Sequence, residues 1–364
     1  MRPTTEDELA ALVRGATGPL RVQGGGTRSA AGQGDLLETG GLSGIVLYEP
    51  AALTLVVRAG TPLAEVQAAL AAEGQRLPFE PGEMGGLLGR PGASTIGGVV
   101  ATNASGPRRV QAGACRDSLI GLRFVDGRGT VIKNGGRVMK NVTGYDLVKL
   151  LAGSHGSLGV LTELAFKLQP IPPATATLIL PGLTPARAVA AMSAALGSPF
   201  DVTGAAHLPG TGTLIRLEGL AASTAYRVDR LLVALAPFGP AVVERDPDAA
   251  AALWQQVRDA APFHGRAGDV WRISVRPSDG PEVAARLGGE VVMDWGGGLV
   301  WALFPAGMDA RALLTGLPGH ATRIRGSAPD VPAFAPEPAP VAALTAALRA
   351  QFDPRGIFGN WAGA

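Results

Sequence analysis

The segment that most constrains this chain is glycine-rich and runs from Pro91 to Arg109 (PGASTIGGVVATNASGPRR). Its glycines lack a Cβ atom, so the backbone can turn tightly and approach a ligand closely, and short polar side chains lie between them. Free backbone N–H groups with little side-chain bulk form an anion site, and the diphosphate of a nucleotide is an anion that often uses one. A glycine-rich surface loop without a ligand is the alternative interpretation.

A second glycine-rich loop lies upstream of the first. Leu20–Gln23 is predicted to be a strand, and it leads directly into three consecutive glycines and a Thr-Arg-Ser turn. Three glycines are entropically costly in a plain hairpin turn, whereas bare N–H groups, two hydroxyls and a guanidinium suit a phosphate. We therefore predict that this loop, too, holds a phosphate. It comprises Gln23, Gly24, Gly25, Gly26, Thr27, Arg28 and Ser29.

Prolines and composition divide the chain into three parts, with predicted domains 1–172, 173–327 and 328–364. A third glycine-rich segment, Gly153–Val160, precedes a strand, after which three prolines between residues 170 and 173 interrupt the chain. Between residues 174 and 326 short strands and helices alternate, which indicates an antiparallel sheet with helices on one face. A second linker, rich in proline and alanine, precedes a final helix and tail that we expect to return to the first domain.

Composition excludes several classes of protein. The net charge is only +2 and the basic residues are scattered, so nucleic acid is not an expected partner. Cys115 is the only cysteine, which excludes an internal disulfide and a cysteine-based metal site. The N-terminus lacks the apolar core of a signal peptide, and no apolar run is long enough to cross a bilayer. We expect a cytoplasmic protein, and if it meets the inner membrane we expect it to do so through partner subunits.

Two sets of motifs resemble known families. Four segments resemble the FAD-binding domain of the vanillyl-alcohol-oxidase type (PCMH type): Gln23–Ser29, Ser94–Gly106, Lys140–Asp146 and Gly153–Val160. Shorter segments resemble the FAD-binding subunit of glycolate oxidase: Trp271–Ser274, Asp294–Gly297, Gly319–Thr322 and Phe352–Phe358. The match runs nearly the whole length of the chain.

The resemblance implies an α+β fold, with a two-part PCMH-type FAD-binding domain and a smaller α+β cap domain of antiparallel sheet and helices. It implies that both glycine loops hold the FAD diphosphate and that the backbone near Gly159 and Val160 lies against the flavin or its ribityl chain. Beyond the first loop, it assigns these residues to the cofactor: Pro91, Gly92, Ser94, Thr95, Gly97, Gly98, Ala101, Asn103, Gly106, Gly153, Gly159 and Val160.

The chain departs from the family pattern in two places. Relatives with covalently held flavin carry an attachment residue such as histidine in these loops, and the first loop here has none, so we expect FAD to bind non-covalently. The C-terminal family motif continues with Asn-Pro-Gly, whereas this chain has Gly359-Asn360-Trp361. A contact of this tail with the flavin is therefore in question.

Catalytic residues are not evident from the sequence. The catalytic sister subunit of such complexes supplies clustered histidines with a metal, whereas the four histidines here are far apart, and we predict no metal site. His155 lies in a loop expected to contact FAD, and His320 lies near two arginines, so these two are the weak catalytic candidates. The alternative for each is a packed or surface histidine.

Three functions remain open from the sequence. The first is an FAD-carrying subunit of a glycolate-oxidising complex, which passes electrons through its flavin alongside a catalytic flavoprotein subunit and an iron–sulfur subunit. The second is a stand-alone FAD-linked 2-hydroxy-acid dehydrogenase. The third is a scaffold subunit with an empty flavin site. The two intact glycine loops argue against the third function, and the missing histidine cluster argues against the second.

Overall fold

The structure is a computed structural model that describes residues 1–28, 33–136, 144–326 and 330–359. Three predicted features therefore lie outside the described residues: Ser29, the first part of the Lys140–Asp146 motif up to Thr143, and the tail residues Asn360 and Trp361.

The helices of these residues are α1 (Glu6–Gly15), α2 (Leu63–Ala72), α3 (Gly85–Leu88), α4 (Ile96–Ala101), α5 (Arg109–Ala112), α6 (Cys115–Ser118), α7 (Leu147–Leu151), α8 (Pro185–Leu196), α9 (Ala221–Leu235), α10 (Pro247–Arg258), α11 (Gly280–Leu287), α12 (Ala310–Leu313) and α13 (Ala339–Phe352). The strands are β1 (Leu20–Gln23), β2 (Asp35–Glu38), β3 (Ile45–Glu49), β4 (Thr54–Arg58), β5 (Gln75–Arg76), β6 (Leu119–Val125), β7 (Val131–Gly135), β8 (Val160–Lys167), β9 (Gln169–Pro170), β10 (Ala174–Leu180), β11 (Val202–Leu208), β12 (Gly212–Gly219), β13 (Val242–Glu244), β14 (Asp269–Val275), β15 (Val291–Asp294), β16 (Leu299–Phe304) and β17 (Gly319–Arg325).

The N-terminal part of the chain is built on a five-stranded antiparallel sheet in the order β3-β4-β8-β6-β7. Alternate residues of its strands, such as Leu55, Phe124 and Leu164, are fully buried on one face. Helices α2 and α4 cover that face and bury their own apolar residues in the same core. Because α4 begins inside the glycine-rich segment 91–109, this packing fixes the position of that segment.

The first glycine loop is held by a separate pair of strands. Strands β1 and β2 are parallel, and the loop follows the last residue of β1, Gln23. The C-terminal segment runs beside β1, since the amide of Leu20 donates to the carbonyl of Ile357 (2.7 Å) and Leu20 pairs with Phe358. Ile357 and Phe358 are buried there against α1. The residues after α13 thus pack against the N-terminal part of the chain.

The second part of the chain is an eight-stranded antiparallel sheet in the order β13-β10-β12-β11-β15-β16-β14-β17. The change from one sheet to the other falls between Lys167 and Ala174, an interval that contains the predicted boundary at 172. Strand β11 (VTGAAHL) was not predicted, because glycine and alanine have low strand propensity and its pattern is typical of a loop. Together the two sheets and their helices confirm the predicted α+β fold class.

The helices of the second part cover both faces of its sheet. On one face α8, α9 and α11 pack on alternate strand residues that include Leu178, Ile215 and Trp271. On the other face α10 packs through Trp254 and Val257 against a second apolar cluster. The expectation of helices on one face alone was therefore wrong. The reason is that β16 and its neighbours are apolar on both sides, so the face toward the N-terminal part needs a cover as well.

Candidate functional site

The two glycine-rich loops lie directly against one another. The hydroxyls of Thr27 and Ser94 are 2.9 Å apart and buried. A Cβ atom on Gly25 would lie 1.6 Å from the carbonyl oxygen of Ala93, and one on Gly24 would lie 2.3 Å from the Oγ1 atom of Thr95. The absence of side chains at these glycines therefore permits the contact between the loops.

A cleft opens where these loops meet the third glycine-rich segment. The residues predicted for the cofactor that line it are Gly24, Gly25, Gly26, Thr27, Arg28, Thr95, Gly97, Gly98, Ala101, Gly159 and Val160. The cleft wall is completed by residues that were not predicted, namely Val22, Thr39, Ala59, Thr102, Gly156 and Leu161, and by His155. Three segments far apart in sequence thus form one concave surface.

The cleft presents backbone N–H groups. No hydrogen bond between described residues uses the five consecutive amides of residues 24–28. On the opposite side α4 begins at Ile96, and the hydroxyl of its N-cap residue Thr95 accepts from the amide of Gly98 (3.2 Å). Gly98 leaves space in front of this helix end, since a Cβ atom there would meet only the Oγ1 atom of Thr95 (3.3 Å) and the Cδ atom of Arg28 (3.7 Å). Amides without a protein partner suit a diphosphate, so these residues fit the cofactor that the loops predict.

The other predicted cofactor residues do not line this cleft. Ser94 holds Thr27, and Gly92 lies under the first loop, where a Cβ atom would be 2.4 Å from the carbonyl oxygen of Gly25. The amide of Gly153 donates to the carbonyl of Val100 (3.0 Å). Three more, Gln23, Pro91 and Gly106, are also outside the lining of the cleft, and Asn103 joins Gly106 in a neighbouring cavity. Ser94 and Gly92 therefore hold the first loop in place, whereas Asn103 and Gly106 belong to the wall of the second cavity.

The second cavity, of about 440 Å³, lies between the N-terminal part and the eight-stranded sheet. It shares three wall residues with the cleft, Arg28, Thr102 and His155, so the two spaces adjoin. This volume is in the range of small-molecule sites.

One face of the eight-stranded sheet forms the floor of this cavity. Side chains alternate along a strand, so every second residue points to the same face. Arg272 on β14 lies opposite Trp301 and Thr322, while Ser274 lies opposite Leu299 and His320. All six side chains line the cavity. The pairing register thus places Arg272 and His320 on one surface.

Five arginines line the second cavity, and three of them are engaged by the protein. Arg28 donates to the carbonyl of Gly82, Arg258 forms two hydrogen bonds of 2.8 Å with Asp259, and Arg323 lies 3.8 Å from Asp269. The remaining two are Arg109 and Arg272.

Arg109 and Arg272 are held by one aromatic ring. Their guanidinium carbons lie 4.5 and 5.2 Å from the ring centroid of Trp295, and the indole N–H donates to the carbonyl of Gly106 (3.0 Å). Burial, with a contribution from Arg109, lowers the pKa of Arg272 to about 10, so this side chain remains a cation at neutral pH. Neither arginine has a side-chain hydrogen bond or an ion pair within the described part of the chain. The cavity therefore contains two cations that no side-chain hydrogen bond or ion pair of the described residues engages, and the opposing charge that acts on Arg272 is that of Asp294.

Asp294 is a buried carboxyl group in the wall of the same cavity. It is only 2% exposed, and it accepts a hydrogen bond from the amide of Trp295 (2.7 Å). Burial raises its pKa to about 7, although the field of Arg272 opposes this shift. Asp294 can thus exchange a proton with a ligand near neutral pH.

The two predicted catalytic candidates lie at different places in the cavity. His155 lines both spaces, its amide donates to the carbonyl of Ala101 (2.8 Å), and its ring packs edge-on against Phe334. Burial lowers the pKa of His155 to about 3. His320 lies at the cavity wall, where partial burial and the charges of Arg272 and Arg109 lower its pKa. The structure thus brings both histidines to the cavity on separate walls.

Sequence reasoning missed Arg109, Arg272 and Asp294. One signal was available for two of them, because Arg272 and Asp294 are charged residues within otherwise apolar strands. A charge in such a strand is expected only where a partner or a ligand meets it. Arg109 carries no such signal, since it follows a loop and begins a short helix.

Two features are absent from the described residues. Within residues 1–28, 33–136, 144–326 and 330–359, no group of three or more His, Cys, Asp or Glu side chains is arranged to hold a metal ion. No helix in those ranges has the length and apolarity needed to cross a membrane.

Comparisons with known proteins agree with this geometry. Residues 1–135 match the family model of an FAD binding domain. The glycolate oxidase subunit GlcE of Escherichia coli K12 is 36% identical over 345 residues, which cover 93% of this chain and 91% of that protein. The glycolate oxidase subunit GlcD of Bacillus subtilis is 38% identical over 127 residues, 35% of this chain and 26% of that protein.

A solved structure of alkyldihydroxyacetonephosphate synthase has a TM-score of 0.71 over 98% of this chain and 76% of that one. Its identity is 16%, so it supports a shared fold alone. The predicted family resemblance and the predicted cofactor FAD are both confirmed by these matches. The identity to GlcE extends over nearly the whole of both chains. This chain therefore belongs to the family of the glycolate oxidase protein GlcE, whose members are FAD-dependent oxidoreductases.

Proposed function

We propose that FAD binds non-covalently in the cleft between the two glycine loops. The observation that supports this proposal most strongly is the direct contact of the loops, which places the amides of residues 24–28 and the wall residues Thr95, Gly97 and Gly98 around one space. These residues would hold the diphosphate, while Gly159 and Val160 form another part of the wall. Bound flavin supplies hydride acceptance, the chemistry by which a hydroxy acid is oxidised.

The proposed function is that of the FAD-binding subunit of a glycolate (2-hydroxy acid) oxidase or dehydrogenase complex. Its relatives include subunits named GlcE and GlcD, and we propose a catalytic flavoprotein subunit and an iron–sulfur subunit as partners. The residues of this chain would bind FAD, through which electrons would pass between subunits, and would exclude water from it. The adjoining cavity would admit the small acid, because Arg109 and Arg272 attract an anion.

Reconstitution of the full chain with FAD tests this function. We expect a yellow protein whose flavin is released into the supernatant when the protein is precipitated with acid. Under anaerobic conditions, glycolate should bleach the flavin faster when the partner subunits are added. A protein that stays colourless with FAD would refute the cofactor site, and a flavin that precipitates with the protein would refute non-covalent binding.

One observation favours a second candidate, a dehydrogenase that oxidises the acid on its own flavin. The cavity beside the cleft already contains two cations that make no ion pair among the described residues and a carboxyl group that can exchange a proton. For this candidate, glycolate alone would bleach the flavin of the isolated chain as fast as in the complex. The same anaerobic experiment therefore separates the two functions.

A further inference from the structure

The cavity between the two parts of the chain is more than a passage to the cleft. In a mere passage, we would expect the polar side chains of the wall to be paired with one another, as Arg258 and Asp259 are by two hydrogen bonds. Arg109 and Arg272 instead point to the same indole ring of Trp295 and leave their N–H donors for a ligand. A guanidinium that is partly removed from water has most to gain from a carboxylate, with which it forms paired hydrogen bonds.

The two arginines come from different parts of the chain. Arg109 begins α5 in the N-terminal part, and Arg272 lies on β14 of the eight-stranded sheet. The indole of Trp295 links both parts, since its N–H donates to Gly106. An anion between Arg109 and Arg272 would therefore be bound across the contact between the two parts.

The carboxyl group of Asp294 affects which anions the cavity can bind. It precedes Trp295 directly and lines the same cavity, and it is 2% exposed. In its ionised form this carboxylate repels a dianion more strongly than a monoanion, so the site favours a ligand with a single carboxylate. A hydroxyl group on the neighbouring carbon could donate a hydrogen bond to the carboxyl oxygen of Asp294.

We propose that this chain has a carboxylate site of its own, in which Arg109 and Arg272 bind the carboxylate of a small 2-hydroxy acid and Asp294 accepts a hydrogen bond from its hydroxyl group. The residues that form the site all lie in the described part of this chain. The inference depends on the proposed function for the identity and size of the acid, while the charge of the ligand follows from the arginines of the cavity.

Binding measurements on the full chain freed of flavin test the site without any reaction. Glycolate, acetate and glycolamide are titrated by calorimetry and by tryptophan fluorescence. Glycolate should bind, acetate should bind more weakly because it lacks the hydroxyl, and glycolamide should not bind because it lacks the charge. Arg109→Gln and Arg272→Gln should each weaken glycolate binding about tenfold or more, which is the expected loss of a charged hydrogen bond.

Matched variants separate this role from general effects on charge or folding. Arg286→Gln removes the same charge at an exposed ion pair with Glu282 and should leave glycolate binding unchanged. Arg272→Lys keeps the cation and should retain more binding than Arg272→Gln, so a loss in the glutamine variant that lysine restores supports the site. Asp294→Asn should reduce the preference for glycolate over acetate while acetate still binds.

The outcomes distinguish this inference from the proposed function. If Arg109→Gln and Arg272→Gln both bind glycolate like the unchanged chain, or if glycolamide binds as well as glycolate, the carboxylate site is refuted even when FAD binds normally. Conversely, a chain that binds glycolate through these arginines but takes up no FAD would refute the cofactor site and leave the carboxylate site intact.

Discussion

At the scale of single residues, His155 shows how burial sets the charge of a side chain in the site. Its φ angle is 54°, a left-handed conformation that few residues other than glycine adopt readily. Its ring packs against Phe334, and burial lowers its pKa to about 3, against an ordinary value near 6.5. The imidazole is therefore neutral at physiological pH and adds no positive charge to a cavity that already contains five arginines.

The depressed pKa of His155 predicts a pH dependence of stability. In the unfolded chain His155 is protonated below about pH 6.5, whereas in the folded chain it is protonated only below about pH 3. Folding is therefore less favourable as the pH falls from 6.5 to 3. His155→Asn tolerates the left-handed backbone and removes the titration. We expect the free energy of unfolding of the unchanged chain to fall relative to this variant by up to about 1.4 kcal/mol per pH unit.

Urea unfolding of both proteins at pH 7.5 and pH 5 measures this difference. Equal changes with pH in the two proteins would show that His155 is protonated as easily in the folded state as in the unfolded chain.

The residues of the site differed in how far the sequence could predict them. The glycine loops were predictable because phosphate binding needs bare amides in consecutive positions, and consecutive glycines are visible in a sequence. Arg109 gave no such signal, and the charges of Arg272 and Asp294 within apolar strands indicated a partner or a ligand but not their meeting in one cavity, which depends on the pairing of strands and on the packing of two parts of the chain. His155 and His320 were predicted as candidates, but their positions on separate walls of the cavity could be learned only from the structure.

At the scale of elements, the site depends on the contact between the loop after β1 and the segment that begins α4. This contact is made by backbone atoms, since Gly25 approaches the carbonyl oxygen of Ala93 and Gly97 approaches that of Ala59. A close approach of two backbones cannot adjust as a flexible side chain does. The geometry of the cleft is therefore sensitive to a single methyl group.

Gly25→Ala tests this sensitivity. Because its new methyl group would lie 1.6 Å from a backbone oxygen, the two loops must separate, and we expect a loss of about 1 to 3 kcal/mol in stability together with weaker FAD binding. Flavin fluorescence titrations and thermal unfolding measure both effects. Gly15→Ala is the matched control, because nothing lies within 4 Å of a Cβ atom there, and it should leave FAD binding unchanged.

Most elements of the fold could be predicted from apolar patterns and end signals. Helix α1 begins after Thr5, whose hydroxyl accepts from the amide of Glu8 (3.2 Å) as its capping motif predicts. Strand β11 was not predicted, because its small residues have little strand propensity of their own and are extended only through pairing with β12 and β15. The position of α10 on the second face could not be predicted either, because an amphipathic pattern does not say which side of a sheet a helix covers.

At the scale of the whole molecule, a largely buried network of charges joins the two parts of the chain. Arg216 of β12 forms two hydrogen bonds of 2.9 Å with Glu80 of the N-terminal part. Glu218 of the same strand pairs with Arg76 (2.7 Å) and with Arg108. Since charges removed from water are costly unless paired, the two parts stabilise each other only when they are docked. The network therefore keeps the walls of the second cavity together.

Glu80 makes this docking dependent on pH. Burial alone would raise its pKa, but the charges of Arg216, Arg108 and Arg258 outweigh burial and hold the pKa below its ordinary value. Its contribution to stability is therefore complete above about pH 4.5 and is lost as the pH falls through the depressed pKa of the folded state. Replacing one member of a buried pair leaves the other charge uncompensated.

We expect Glu80→Gln to lower the free energy of unfolding by about 3 kcal/mol at pH 7 and by much less at pH 3, where the carboxylate of the unchanged chain is also being neutralised. Glu282→Gln, which breaks an exposed pair with Arg286, should cost under about 1 kcal/mol at either pH. Denaturant unfolding of the three proteins measures these differences. If Glu80→Gln and Glu282→Gln cost the same at pH 7, the charges between the two parts do not hold them together, and apolar contacts alone determine the shape of the second cavity.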